Sequence, residues 1–232
     1  MFGRHRSFIM TTEERKEMQK KYDFCINDLK YALENVDKEY ISWTMGNISP
    51  NNAKIIQAQN TQDKSQDDDI TRKYCERVFA YELYHQFRKL MYSNDHYNDL
   101  FLNGEQQKDN SHFNELLKSF SKNKIIPDLI LHRCCGSIDM GGQILYIEIK
   151  TKNNTAVCDD LQKLTDLTKT KLNFAYYVFI YVDGTFEELK KRIKGYHKQY
   201  DDMIHCICVK NKKACSKSMQ ELKKEIEDEE NK

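Results

Sequence analysis

The apolar run Ile144-Leu145-Tyr146-Ile147 ends directly in Glu148-Ile149-Lys150, and that ending narrows what this chain can become. A short run of this composition reads as a buried strand. Side chains alternate along a strand, so Glu148 and Lys150 project to one side while Leu145, Ile147 and Ile149 face the other. A carboxylate and an ammonium therefore stand together at the end of a strand otherwise built for burial. A second apolar run, Leu129-Ile130-Leu131, follows Pro127-Asp128. If the two strands pair, Asp128 brings a second carboxylate to the same place. Two carboxylates and a lysine converging on one spot make a metal site able to hold a phosphodiester.

The flanking pattern predicts a mixed sheet. Gly136, Gly141 and Gly142 mark a turn between the two strands, which makes them antiparallel. Downstream, Leu161, Leu164 and Leu167 place a helix over Asp159 to Thr168. Phe174 to Val182 is a strand rich in aromatic and β-branched residues. Thr185 with Glu188 forms a capping box for the next helix, and Met203 to Val209 is a further strand. Strands separated by helices are expected to run parallel through right-handed crossovers. Upstream, Phe79, Leu83, Phe87 and Leu90 lie along a helix from Thr71 to Leu90, Tyr92 to Gly104 reads as a loop, and Phe113 to Phe120 reads as a short helix. The expected class is α/β: a mixed central β-sheet flanked by helices.

An N-terminal helical extension precedes this core. Met18, Tyr22, Cys25, Leu29, Leu33 and Val36 recur at helical steps, giving one amphipathic helix over Thr12 to Tyr40. Gln57 to Asp69 is almost wholly polar and reads as an exposed connector. The expected division is an extension over 1–60, a polar linker over 61–70, a main domain over 71–215 and a charged, solvated tail over 216–232.

Bulk properties permit several partners. Charged residues make up 31% of the 232-residue chain yet sum to +1, so a basic groove must be a local feature if it exists. The eight cysteines include no CxxC pair, and they read as reduced thiols in a cytoplasmic protein. No stretch has the length to span a membrane, and Met1 to Met10 is too short and polar for a secretory signal.

In this order, Pro127-Asp128 and Glu148-Ile149-Lys150 with a Glu-bearing helix upstream resemble the PD-(D/E)xK nuclease superfamily. This is the restriction endonuclease-like fold, shared with archaeal Holliday junction resolvases. The resemblance covers roughly Thr71 to Val209. It looks closest to small uncharacterised bacterial members whose first helix begins with Glu-Arg, here Glu76-Arg77.

It implies a Mg²⁺-dependent enzyme, with Mn²⁺ able to substitute, that hydrolyses DNA in restriction, repair or defence. Many relatives act as homodimers. Asp128, Glu148 and the backbone carbonyl of Ile149 would hold the cation, which prefers oxygen ligands. Lys150 would orient or deprotonate the attacking water, or neutralise charge on the phosphate. Glu76 is the further acid, with Glu82 its rival on the same helix.

Lys152, Lys163 and Arg88 are expected on nucleic acid, with Asn153, Asp160, His85 and Gln86 near by. His132 reads as a structural histidine, and Tyr81 and Tyr84 as packing residues. Each motif also has a plain structural explanation. An Asp after Pro opens strands, and Glu-x-Lys is a common cross-face pair. The competing reading is a non-catalytic nucleic-acid-binding or protein-interaction module on the same scaffold.

Overall fold

The computed structural model describes residues 10–41, 64–104, 127–133, 142–170 and 172–231. Within them six strands form one sheet, in space as in sequence: β1 (Leu100–Gly104), β2 (Leu129–Arg133), β3 (Gln143–Thr151), β4 (Tyr176–Val182), β5 (Ile204–Lys210) and β6 (Lys213–Ser218). β1, β2 and β3 are an antiparallel meander, whereas β3, β4 and β5 run parallel. β5 and β6 close the sheet as a hairpin. Its turn residues Asn211 and Lys212 both take positive φ, 51° and 60°, which suits a tight two-residue connection.

Alternation along the strands divides the apolar side chains between two helical layers. Leu145, Ile147 and Ile149 of β3 join Val178, Ile180, Ile207 and Val209 beneath α1 (Thr12–Lys21), α2 (Asp23–Asn35) and α4 (Lys64–Tyr92). A short turn, α3 (Lys38–Ile41), follows α2. On the opposite face Tyr146, Tyr177, Phe179 and Tyr181 pack against α5 (Val157–Thr168), α6 (Phe186–Ile193) and α7 (Met219–Glu230). Phe79, Leu83 and Phe87 of α4 are fully buried. Each contributes about 2–3 kcal/mol of apolar burial, which fixes the helix carrying Glu76 against the sheet.

The mixed sheet, the parallel β3–β4–β5 core and the Thr185–Glu188 capping box agree with the sequence reading. Elsewhere the structure departs from it. The span predicted as one N-terminal helix holds α1 and α2, meeting at Tyr22, and the start of α3 after a break at Val36; Met18, Tyr22, Cys25, Leu29, Leu33 and Val36 are all buried in the core shared with the sheet. The extension therefore forms part of one helical layer.

The expected linker is helical from Lys64 onward. Leu100 to Gly104, read as loop, is edge strand β1. The expected solvated tail starts inside β6 and continues as docked helix α7. Its Ser218–Glu221 capping box sets Met219, Leu222 and Ile226 into the core. The Phe113–Phe120 helix, Trp43, Cys134, Cys135 and most of the turn at 135–142 lie outside the described residues.

Among the described residues no helix is long and apolar enough to cross a membrane.

Candidate functional site

The parallel arrangement puts the carboxyl ends of β3, β4 and β5 on one edge, where crevices form in α/β sheets. β2 runs the other way, so its beginning lies beside the end of β3. Leu129 pairs with Ile147, and Asp128 just ahead of it clasps β3 twice. Its N–H donates to the Ile147 carbonyl at 3.1 Å. Its Oδ2 accepts the Ile149 N–H at 2.6 Å. Asp128 is thus held on both sides of Glu148, as the strand reading requires.

Glu148 projects to the α5 side, where its Oε1 accepts the Tyr146 hydroxyl at 3.1 Å. Lys150 is two residues further along that side and reaches Asp160 Oδ2 at 3.1 Å and Glu76 Oε2 at 3.4 Å. Asp160, in the first turn of α5, is almost fully buried and also pairs with Lys163. Its Oδ2 meets Lys150 as an ion pair by distance but not at a hydrogen-bonding angle, leaving that buried atom without a hydrogen bond among the described residues.

Glu76 approaches from α4, on the other layer. Its Oε1 accepts the Thr151 N–H at 3.0 Å, the Thr151 hydroxyl at 3.3 Å and the Asn154 amide at 2.7 Å. Asn154 in turn accepts the Ala156 N–H at 2.8 Å, so one amide side chain ties Glu76 to the start of α5. Glu76 therefore straps α4 to the β3–α5 corner through one oxygen and faces Lys150 with the other.

Four carboxylates, Glu76, Asp128, Glu148 and Asp160, consequently gather around two ammonium groups, Lys150 and Lys163. Counting Arg77 at the rim still leaves negative charge in excess. The titration behaviour follows. Burial, with repulsion from Glu76 and Asp160, pushes Asp128 up to about 6, against the opposing pull of Lys150 and the Ile149 N–H. Burial and the charges of Asp128 and Asp160 push Glu148 well above the usual carboxylate range. For Lys150, burial alone would lower the pKa, but the surrounding carboxylates outweigh it and raise it. Lys150 is a protonated lysine at neutral pH.

An open cleft of about 270 Å³ gives access to this cluster. Glu76, Arg77, Ala80, Tyr81, Gly104, Asp128, Leu129 and Lys150 line it, whereas Glu148 and Asp160 stand behind the lining. Among the described residues no three His, Cys, Asp or Glu side chains stand close enough to form a complete metal cage. Magnesium does not require one, since it retains several waters and needs only one or two carboxylates. Asp128 and Glu148, whose carboxyls keep protons to unusually high pH, are groups whose protons a divalent cation can replace. A divalent cation there would have these two carboxylates and water to hold it, while Asp160 Oδ2 stays paired with Lys150.

The other sequence candidates divide. Glu82 accepts from Gln86 at 2.6 Å along its own helix, so Glu76 is the acid of α4 that meets Lys150. Lys163 adjoins the cluster through Asp160. Lys152 instead pairs with Asp183 at 2.6 Å. Arg88 donates to the Tyr92 hydroxyl, about 18 Å along α4 from Glu76. Neither lines the cleft. His132 is held by Asn103 and the Arg133 carbonyl, and Tyr84 packs on the core.

Tyr81, expected to pack, is exposed on the cleft lining beside Arg77. Asn154 gave no sequence signal beyond its place just after the strand. Asp160 stood in an ordinary acidic first turn, where helix polarity alone would favour it.

The fold and cleft define a mixed α/β protein with a buried acidic cluster around one lysine at the strand ends. No protein-family model, curated protein or solved structure matches the chain.

Proposed function

We propose that the protein is a Mg²⁺-dependent phosphodiesterase acting on nucleic acid, most readily a DNA endonuclease of the PD-(D/E)xK type in restriction, repair or defence. The observation that carries this reading is the Lys150 ammonium held between Glu76 and Asp160 beside the clasped Asp128. A chain with no use for ionic chemistry gains nothing by burying Glu76, Glu148 and Asp160 beside the half-buried Asp128, because each loses hydration and its neighbours make that loss worse.

Asp128 and Glu148 would hold the cation, with the Ile149 carbonyl as the neighbouring backbone donor. When bound, Mg²⁺ supplies Lewis acidity at the phosphodiester and a more acidic water. Lys150 is suited to neutralising charge that builds on the phosphate or to orienting the attacking water. Glu76 has one oxygen committed to Thr151 and Asn154, so it positions Lys150 through the other. Asp160 holds the same ammonium from the α5 side and shares its charge with Lys163.

The test is cleavage of supercoiled plasmid and of single-stranded DNA in Mg²⁺, in EDTA, and in EDTA with Mn²⁺ restored. Cleavage should require the cation and vanish in Glu148→Gln. Chelator-resistant cutting, or full activity in that variant, would remove the assignment. Binding without cutting under every metal condition would leave the non-catalytic module.

A further inference from the structure

We infer that Tyr81 is a stacking platform for an unpaired nucleobase at the mouth of the cleft, so that the substrate enters as single-stranded or locally opened nucleic acid. The inference rests on the phosphodiester reading of the Lys150 cluster and goes beyond it by naming the form of the substrate.

Tyr81 lies on α4, which buries Phe79 and Phe87 but leaves Tyr81 and Tyr92 exposed. Phe79 and Phe87 have no exposure, whereas Tyr81 is 59% exposed. Of the exposed large apolar side chains among the described residues (Tyr31, Tyr81, Tyr92, Phe101 and Tyr196), Tyr81 is the one on the cleft lining. An aromatic ring kept in water beside a charged cleft contributes little to the core, and its flat face is free to take a planar partner.

The neighbours suit a nucleotide. Arg77 lies one turn earlier on the same helix face, where i and i+4 side chains meet, and also lines the cleft. Its guanidinium suits a strand phosphate. Ala80 and Gly104 contribute almost no side chain to the lining. Gly104 lies beside Leu129 and the Asp128 carbonyl, where a Cβ would make only ordinary contacts at 3.6 Å and 3.9 Å. A space of about 270 Å³ lies at the small end of ligand pockets. It takes one nucleotide unit and not a duplex. In a duplex both faces of every internal base are covered by neighbours, so a tyrosine can stack only on a base that has left the stack.

The experiment is equilibrium binding by the full chain, in Ca²⁺ instead of Mg²⁺, of a short single-stranded oligonucleotide and of its blunt duplex. Both carry 2-aminopurine as a stacking reporter. Tyr81→Ala should weaken single-strand binding about tenfold, as expected for loss of one base–aromatic stack, and should abolish the change in 2-aminopurine emission. Tyr81→Phe and Tyr81→Trp should keep both, and duplex affinity should change little.

Unchanged single-strand affinity in Tyr81→Ala would overturn the inference. So would equal losses for strand and duplex, or no binding by the wild type. Mg²⁺-dependent cleavage that is indifferent to Tyr81→Ala would remove the stacking role and leave hydrolysis standing. Tyr81-dependent binding with no cleavage in any metal would do the reverse.

Discussion

Two lysines in this protein each meet several carboxylates, and their surroundings make them different objects. Lys190 of α6 contacts Glu187 at 2.8 Å, Glu229 at 2.5 Å and Glu225 at 3.4 Å, joining α6 to α7. Those acids keep 69%, 49% and 34% of their side-chain exposure, so water shares the charge. Around Lys150 the partners Glu76 and Asp160 keep 10% and 1%. Similar ionic composition thus gives a solvated strap in one place and an electrostatically loaded cleft in the other. A surface network contributes little to stability, while buried like charges cost stability and persist where they serve another end.

Exchanging each lysine for methionine should separate the two regions most widely. Lys150→Met is expected to lower the cleavage rate by about a thousandfold, as loss of one charge-stabilising donor does, and Lys190→Met to leave it unchanged. Comparable losses in the two variants would erase the distinction. In urea unfolding at pH 7, Lys150→Met should cost about 3 kcal/mol, because it leaves acids buried without their cation, and Lys190→Met under about 1 kcal/mol. Moving to pH 5 should return much of the Lys150→Met loss, since protonation removes the repulsion.

The next effect is the response to Mg²⁺. Asp128 has a folded pKa of about 6, above its ordinary 3.8. The group's penalty on metal-free stability is therefore absent below the ordinary value and grows as pH rises toward 6. A cation must displace the retained proton below that point. Saturating Mg²⁺ should raise the melting temperature at pH 7.5 by the equivalent of about 2–3 kcal/mol, and the gain should fade as pH drops through about 6. A gain independent of pH would place the cation elsewhere.

The smallest effect concerns Glu148→Gln, which removes a buried ionisable group and keeps an acceptor for the Tyr146 hydroxyl. It should stabilise the metal-free protein by about 1 kcal/mol in thermal unfolding while abolishing cleavage. A destabilised variant would mean that Glu148 is not under repulsive strain.

The sequence made legible whatever was written as an uninterrupted apolar run. β2 to β5 were visible because both faces are buried, and the Asp128–Glu148–Lys150 convergence followed from alternation and one antiparallel pairing. β1 and β6 were hidden because edge strands bury less: Lys213-Ala214-Cys215-Ser216 has none of the branched residues that mark a strand.

The docking of α7 was legible in principle from Ser218, Glu221, Met219, Leu222 and Ile226, but the charges around them outweighed that stripe. Asp160 and Asn154 reach the site only through the path of the β3–α5 connection, which no local pattern encodes. Tyr81 could not be separated from Tyr84 by spacing alone. One packs and the other faces the cleft because the helix axis, fixed by Phe79, Leu83 and Phe87, decides which flank meets the sheet.

The most direct test is a crystal of the wild-type chain soaked in Mn²⁺ and measured at the manganese absorption edge. An anomalous peak is expected with oxygens of Asp128 and Glu148 about 2.1–2.3 Å away, beside the Lys150 ammonium. An occupied peak anywhere else, or no peak at a concentration that supports cleavage, would contradict that placement.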